Sequence, residues 1–228
     1  MIRFLLLDLD DTILDFHKAE GIALAKTLRD FGVEPTEAVC SRYSQINREH
    51  WERLERKELT REQVLTGRFA QLFRELDAQA DAQAAADLYA RNLGIGHYFM
   101  PGAREAVESL SKKYRLYLAS NGTVSVQSGR LKSADICHLF EDVFFSQAMG
   151  AEKPDPLFFK NAFARVPDLD PSQTMIVGDS LTSDILGGKN AGILTCWINP
   201  HHKPGREDIV PDFELESITE LEALLETL

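Results

Sequence analysis

An apolar run followed at once by acidic residues constrains the fold more than any other feature of this sequence. Residues 2–7 read IRFLLL, and residues 8–12 read DLDDT. A short continuous apolar run without polar positions at helical spacing is typical of a strand buried on both faces of a parallel sheet. Because ligands bind such sheets at the carboxyl ends of their strands, the acidic cluster falls where a functional site would form.

Further segments of this kind alternate with helical segments in the second half of the chain. The pattern predicts strands at 114–121, 142–146, 174–180 and 193–198, with helices at 102–112, 123–134, 157–165, 182–191 and 217–227. Strands that alternate with helices indicate a parallel sheet with right-handed crossovers. The predicted fold class is therefore α/β, with a Rossmann-like parallel sheet as its core.

The region between the first strand and residue 96 has a different pattern. It is rich in Ala, Leu, Glu, Arg and Gln, and apolar residues recur at helical spacing. Helices are predicted at 17–31, 36–54, 60–76 and 79–93, and Thr60 with Gln63 matches a capping box at the third of them. We therefore expect an α/β core formed by residues 1–14 and 96–228, and an inserted all-helical domain at 15–95.

Composition narrows the possible functions. The chain has 228 residues and a formal net charge of -11, which argues against nucleic acid as a partner but leaves small anionic substrates open. Its cysteines, at positions 40, 137 and 196, are far apart and form no CxxC pair, which argues against disulfides and structural zinc. The apolar run at 4–7 is too short for a membrane span or a signal peptide. These features predict a cytoplasmic protein without a membrane partner.

Polar residues lie at the ends of four of the predicted strands or in the loops that follow those strands. If the sheet is parallel, these clusters meet at one edge; they are Asp8 and Asp10, Ser120 and Asn121, Lys153, and Asp179 with Asp184. Clustered carboxylates repel one another unless a cation holds them, and oxygen ligands favour Mg²⁺. A lysine and a hydroxyl beside them would bind an anion. These residues therefore predict a small anion as the ligand.

These motifs, taken in order, resemble the haloacid-dehalogenase-like superfamily, in the branch with a helical cap. DxDxT stands at 8–12, the Ser motif at Ser120 in LASNG, the Lys motif at Lys153 in AEKPDP, and GDxxxxD at 178–184. Each motif alone is a common turn or helix cap, whereas their order and spacing are specific. The string DLDDTILDF and the length of the inserted region resemble the bacterial pyrimidine 5′-nucleotidases of this superfamily.

The resemblance implies two catalytic carboxylates. Asp8 would attack phosphorus and become an aspartyl phosphate, and Asp10 would protonate the leaving oxygen and later activate water. Mg²⁺ would be held by the Asp8 side chain, the Asp10 backbone carbonyl and Asp179, with Asp184 in support. The sequence does not decide whether Asp184 binds the metal directly or through water.

The resemblance also implies an anion-binding set. Ser120, Asn121 and Lys153 would bind the phosphoryl oxygens, and Lys153 would screen the charge of Asp8. A carboxylate about 4 Å from a phosphate dianion is repelled by roughly 8 kcal/mol at an effective dielectric constant of about 20. A nucleophilic carboxylate therefore needs cations beside it.

The residue at position 10 separates the reactions that the resemblance allows. Halide leaves without a proton, so a dehalogenase would have no use for Asp10, whereas an alkoxide leaving group benefits from an acid. Asp10 therefore favours a phosphatase over a dehalogenase. The resemblance implies a magnesium-dependent enzyme whose partner is a small phosphorylated metabolite, namely a pyrimidine nucleoside 5′-monophosphate. The alternatives are a phosphatase of another small phosphomonoester such as a sugar phosphate, a haloacid dehalogenase, and a non-catalytic binding module. A sugar-phosphate mutase is less favoured, because the family's mutases typically have Gly where this chain has Asp11.

Overall fold

The computed structural model describes residues 1–228, which divide into two compact units. The first unit comprises Met1–Phe16 and His97–Leu228, and the second comprises His17–Gly96. Whether the region 15–95 acts as a cap stays a prediction. No helix is long and apolar enough to span a membrane.

A six-stranded parallel sheet forms the centre of the first unit. Its strands are β1 (Phe4–Leu7), β2 (Arg115–Ser120), β3 (Asp142–Phe145), β4 (Thr174–Gly178), β5 (Leu194–Ile198) and β6 (Phe213–Leu215). Their order is β3-β2-β1-β4-β5-β6, and every neighbouring pair is parallel. The predicted α/β class with a Rossmann-like parallel sheet is confirmed.

Strand β1 lies in the middle of the sheet, and all four of its side chains are buried. Leu5 and Leu7 pack into the core on one face, while Phe4 and Leu6 pack into the core on the other. Successive strand side chains point to opposite faces, so a strand covered on both sides must be apolar throughout. The next residue along the chain, Asp8, is thereby held at the carboxyl edge of the sheet.

Most helices of the first unit connect these strands, and the last helix follows β6. The helices of this unit are α5 (Ala103–Leu110), α6 (Val124–Ala134), α7 (Ser146–Met149), α8 (Pro156–Phe163), α9 (Leu186–Ala191) and α10 (Leu221–Leu225). The helix predicted at 182–191 is divided, because Leu181–Ile185 form a π-helical turn before α9. Strand β6 was not predicted; it is a three-residue edge strand without a fully buried side chain, so it leaves no apolar run in the sequence.

The second unit contains most of α1 (Phe16–Asp30), with α2 (Glu37–Glu55), α3 (Arg61–Glu75) and α4 (Ala82–Leu93). It contains no strand, as the sequence pattern predicts. Tyr43, Phe69 and Tyr89 are fully buried, with ring centroids 5.1–5.7 Å apart. The predicted capping box is confirmed, since the Gln63 amide donates to the Thr60 side chain and the Gln63 side chain accepts from the Thr60 amide.

Candidate active site

The side chains of Asp8, Lys153 and Asp184 meet beyond the carboxyl ends of β1 and β4. The Asp8 amide donates to the Val177 carbonyl at 2.9 Å, which fixes the backbone as β1 ends. The Lys153 Nζ donates to Asp8 Oδ1 at 2.8 Å, to Asp184 Oδ1 at 2.5 Å and to the Ala119 carbonyl at 2.5 Å. All three donors of the ammonium are therefore engaged, and the group is locked between two carboxylates.

Asp184 reaches this cluster because the chain turns tightly after β4. Its Oδ2 accepts a hydrogen bond from the Ser180 amide at 3.1 Å, and the Ser180 side chain accepts from the Ser183 amide at 3.2 Å. A Cβ added at Gly178 would lie 2.2 Å from Asp184 Oδ2. Glycine at position 178 is thus the residue that leaves room for the carboxylate.

The carboxylates carry more negative charge than Lys153 neutralises. Burial raises the pKa of Asp8 to about 8; Lys153 opposes the shift, while Asp184 and Asp10 add to it. Burial, followed by the charges of Asp8 and Asp184, raises the pKa of Asp179 well above its ordinary value. Burial alone would lower the pKa of Lys153, but the two carboxylates outweigh it and raise that pKa. The site therefore favours a further positive charge.

This donor set fits a divalent cation. Carboxylate oxygens of Asp8, Asp179 and Asp184 lie within 4.8 Å of one another. All are hard oxygen donors of the kind that Mg²⁺ prefers, and a cation among them would relieve their mutual repulsion. Two of the three, Asp8 and Asp179, are the carboxylates for which the family resemblance implies a role in metal binding.

Ser120 and Asn121 follow β2 at the same edge. The Ser120 hydroxyl is buried and accepts from the Gly122 amide at 3.1 Å. The Asn121 side chain holds the Lys153 backbone, since its Nδ2 donates to the Lys153 carbonyl at 2.9 Å and its Oδ1 accepts from the Lys153 amide at 2.8 Å. Asn121 thus fastens the loop that carries the ammonium, a contact that its place in a turn motif did not reveal.

Asp10 is not one of the three clustered carboxylates, and its side chain has its own partners. Its Oδ2 accepts from Gln127 Nε2 at 2.7 Å, and its Oδ1 is paired with the guanidinium of Arg130. The Asp10 side chain is 30% exposed, whereas that of Arg130 is fully buried. Asp8 and Asp10 are therefore each paired with a different buried cation, although only one residue separates them.

The backbone conformation at position 11 explains the aspartate there, and the sequence did not show it. Asp11 has a left-handed backbone, with φ of 55°, and its Oδ1 accepts from the Phe16 amide at 2.8 Å, at the start of α1. Glycine and aspartate are both among the residues that adopt this conformation. The choice between them at this position has a local backbone cause, so it does not by itself separate a phosphatase from a mutase.

Sequence reasoning missed Gln127 and Arg130. They lie three residues apart on α6, so they share one face of the helix. The one available sign of a role for Arg130 was its place on the buried face of the predicted helix. Its partner, Asp10, is 120 residues away in sequence and could not be identified without the fold.

Comparisons with known proteins identify the family to which this chain belongs. Residues 2–192 match the haloacid dehalogenase-like hydrolase family, and the chain belongs to that family. It is 37% identical over 223 residues to the HAD-hydrolase YfnB of Bacillus subtilis, covering 98% of this chain and 95% of that protein. A solved YfnB structure, described as bound to magnesium, superposes with a TM-score of 0.94 and covers 98% of both chains.

Two further relatives have named activities. The chain is 36% identical to the pyrimidine 5′-nucleotidase PynA of Streptococcus pneumoniae, over 96% of this chain and 93% of that protein. It is 29% identical to the pyrimidine 5′-nucleotidase YjjG of Escherichia coli, over 96% of this chain and 95% of that protein. The resemblance inferred from the motifs is confirmed, because these relatives span nearly the whole chain.

Proposed function

We propose that this protein is a Mg²⁺-dependent phosphomonoester hydrolase that acts through an aspartyl phosphate on Asp8, with pyrimidine nucleoside 5′-monophosphates as substrates. The observation that carries the proposal is the Lys153 ammonium, which is buried between Asp8 and Asp184 at the edge of the sheet. A carboxylate can approach a phosphate dianion only where such positive charge offsets their repulsion.

In the first step a carboxylate oxygen of Asp8 attacks phosphorus, and the bond from phosphorus to the nucleoside 5′ oxygen breaks. Asp10, in its protonated form, gives its proton to that oxygen as the bond breaks, so the nucleoside leaves as a neutral alcohol. Lys153 keeps one oxygen of Asp8 in a hydrogen bond at 2.8 Å, which orients the nucleophile. Ser120 donates its O–H to the transferring phosphoryl group.

In the second step water releases the phosphate. Asp10, now ionised, takes a proton from water, and the water oxygen attacks phosphorus. The bond from phosphorus to the Asp8 oxygen breaks, which restores the carboxylate and leaves inorganic phosphate. Asp10 returns to its protonated form, so the cycle balances without an external acid or base.

The Asp8 and Asp179 side chains and the Asp10 backbone carbonyl are proposed to hold the metal. Bound Mg²⁺ would supply positive charge for the phosphoryl oxygens, in addition to that of Lys153. Asp184 is proposed as a supporting residue, because its two oxygens already accept from Lys153 and from the Ser180 amide.

The substrate class rests on the relatives. PynA and YjjG are named pyrimidine 5′-nucleotidases, and each matches 96% of this chain, including the inserted helices. We assign residues 15–95 to a cap domain that selects the leaving group, because this region supplies none of the carboxylates described above. A sugar phosphate is the second candidate, since the core residues recognise only the phosphoryl group.

Phosphate release from uridine, thymidine and sugar monophosphates, with and without Mg²⁺, tests the proposal. Asp8→Asn should abolish release, while Asp87→Asn, which alters an exposed carboxylate in the second unit, should leave it unchanged. Acid quenching of wild-type protein mixed with ³²P-labelled substrate should trap label on Asp8, and alkali should release it as expected of an acyl phosphate.

Each part of the proposal can fail separately. Release from sugar phosphates alone would overturn the nucleotide assignment and keep the mechanism. Full activity in Asp8→Asn would overturn the nucleophile. Halide release from 2-chloropropionate without any phosphate release would favour the dehalogenase alternative, in which Asp10 has no proton to give.

A further inference from the structure

We propose that Gln127 and Arg130 are positioning residues that fix the acid–base carboxylate of Asp10 and the hydroxyl direction of Ser120. This inference rests on the proposed function, and it assigns roles to two residues outside the four sequence motifs. Both side chains project from one face of α6, three residues apart, and both are buried, with exposures of 1% for Gln127 and 0% for Arg130.

Arg130 is among the largest fully buried side chains of the protein. A guanidinium is always charged, and it is strongly destabilising in a protein interior unless a carboxylate pairs with it. Its Nη1 is paired with Asp10 Oδ1 and donates to Gln127 Oε1 at 3.2 Å. Its carbon Cζ lies 5.8 Å from the centre of the Phe16 ring, which packs beside the guanidinium. The pairing with this buried guanidinium holds the Asp10 carboxylate in one place.

Gln127 joins Asp10 to Ser120. Its Nε2 donates to Asp10 Oδ2 at 2.7 Å and to Ser120 Oγ at 2.8 Å, so both amide hydrogens are used. Its Oε1 accepts from Arg130, which fixes the direction of the amide, because a flipped amide would point Nε2 at the cation. Both oxygens of Asp10 are therefore held from α6, one by a charged donor and one by a neutral donor.

The same contacts determine which way the Ser120 hydroxyl points. Its oxygen accepts from Gln127 Nε2 and from the Gly122 amide, and a hydroxyl oxygen has two lone pairs. With both lone pairs occupied, Ser120 can act toward a ligand only as a donor. A phosphoryl oxygen is an acceptor, so Gln127 prepares Ser120 for the group that the site is proposed to bind.

Gly122 provides the space for this arrangement. A Cβ at that position would lie 2.4 Å from both Cγ and Nε2 of Gln127. A contact that close cannot be accommodated without moving the Gln127 side chain, so the residue after Asn121 must be glycine for the amide to reach Asp10 and Ser120.

The proposed role predicts a dependence on the leaving group. A nucleoside leaves as an alkoxide that needs the Asp10 proton, whereas p-nitrophenolate leaves without one. The ratio kcat/KM reports the reaction up to departure of the leaving group. Arg130→Met and Gln127→Leu should therefore lower kcat/KM for uridine 5′-monophosphate at least about tenfold more than for p-nitrophenyl phosphate, and by less than the roughly 10²–10⁴ that general acid catalysis as a whole contributes. Asp10→Asn, which removes the proposed acid itself, gives the reference ratio of the kcat/KM losses on the two substrates.

Phosphate binding gives a second readout. Gln127→Leu and Ser120→Ala should each raise the inhibition constant of inorganic phosphate. The double variant should bind phosphate as well as Ser120→Ala does, because both substitutions act on the same donor, the Ser120 hydroxyl. Arg130→Lys, which keeps the cation, should recover part of the loss seen in Arg130→Met. Lys132→Met removes a charge from the exposed face of the same helix and should change neither readout.

The outcomes separate this inference from the proposed function. Equal losses on both substrates in an otherwise active protein would overturn the positioning role, as would fully additive effects on phosphate binding. A wild-type protein inactive toward both substrates would overturn the proposed function and the positioning role together. If Arg130→Met does not fold, Arg130→Lys and Gln127→Leu carry the same comparison.

Discussion

The raised pKa of Asp8 predicts how stability depends on pH when no divalent cation is present. Burial moves this pKa from 3.8 to about 8, with Lys153 opposing the change. The folded protein therefore binds a proton between about pH 4 and pH 8 that the unfolded chain has released. The free energy of unfolding must fall as pH rises through this window, and Asp8→Asn should remove that part of the pH dependence.

The magnitude follows from the width of the window. One pH unit inside it corresponds to about 1.4 kcal/mol for a single group. Between pH 5 and pH 7, which both lie between 3.8 and about 8, the Asp8 contribution to unfolding free energy should fall by about 3 kcal/mol. The Asn side chain has no proton to lose, and Asp184 remains to pair with Lys153.

Urea denaturation in EDTA at the two pH values measures this effect. Between pH 5 and pH 7 the unfolding free energy of the wild type should fall by about 3 kcal/mol more than that of Asp8→Asn, and Asp87→Asn should behave as wild type. Added Mg²⁺ should flatten the wild-type dependence, because a cation favours the ionised carboxylate. The same pH dependence in wild type and Asp8→Asn would refute the reasoning, since it would mean that burial does not shift this group.

Three further predictions concern single contacts. Lys153→Met removes the buried cation that Asp8 and Asp184 share, so EDTA-treated protein should lose roughly 3–5 kcal/mol of unfolding free energy at pH 7, measured in urea. Gly178→Ala places a Cβ 2.2 Å from Asp184 Oδ2, so the rise in melting temperature on adding Mg²⁺ should shrink; an unchanged rise would show that Asp184 is dispensable. Thr60→Ala removes one cap of α3 and should cost about 1 kcal/mol without changing kcat, which calorimetry and phosphate release would test.

The fold class could be predicted from the sequence because the central strands appear in it as uninterrupted apolar segments. Strands such as β1 and β4 are buried throughout, so they appear as uninterrupted apolar runs between helical patterns. Strand β6 lies at the sheet edge with its side chains partly exposed, and the strand signal disappears there. The π-helical turn at Leu181–Ile185 was equally invisible, because its residues would also suit an ordinary helix.

The site residues that follow strands of the sheet could be predicted from the sequence. Those whose role depends on pairing with a distant side chain could not. Asp8 and Lys153 follow from the parallel sheet and their motifs, and the structure places them 2.8 Å apart. The engagement of Asn121 with the Lys153 backbone, and the pairing of Arg130 with Asp10, join segments far apart in sequence. Such contacts leave no local pattern, since any buried polar residue could have found another partner.

The pairing pattern also explains how two carboxylates so close in sequence can have different chemistry. Asp8 shares Lys153 with Asp184, so one ammonium serves two carboxylates, and the proposed nucleophile is left short of positive charge that a metal ion would supply. Asp10 is instead paired with the guanidinium of Arg130 and accepts from the side-chain amide of Gln127. Because the two cations come from different connections of the sheet, one after β2 and one after β3, each carboxylate can be altered without changing the other's partner. Exchanging the proposed roles of Asp8 and Asp10 would therefore require more than exchanging their positions, since the cations paired with them are built into the core.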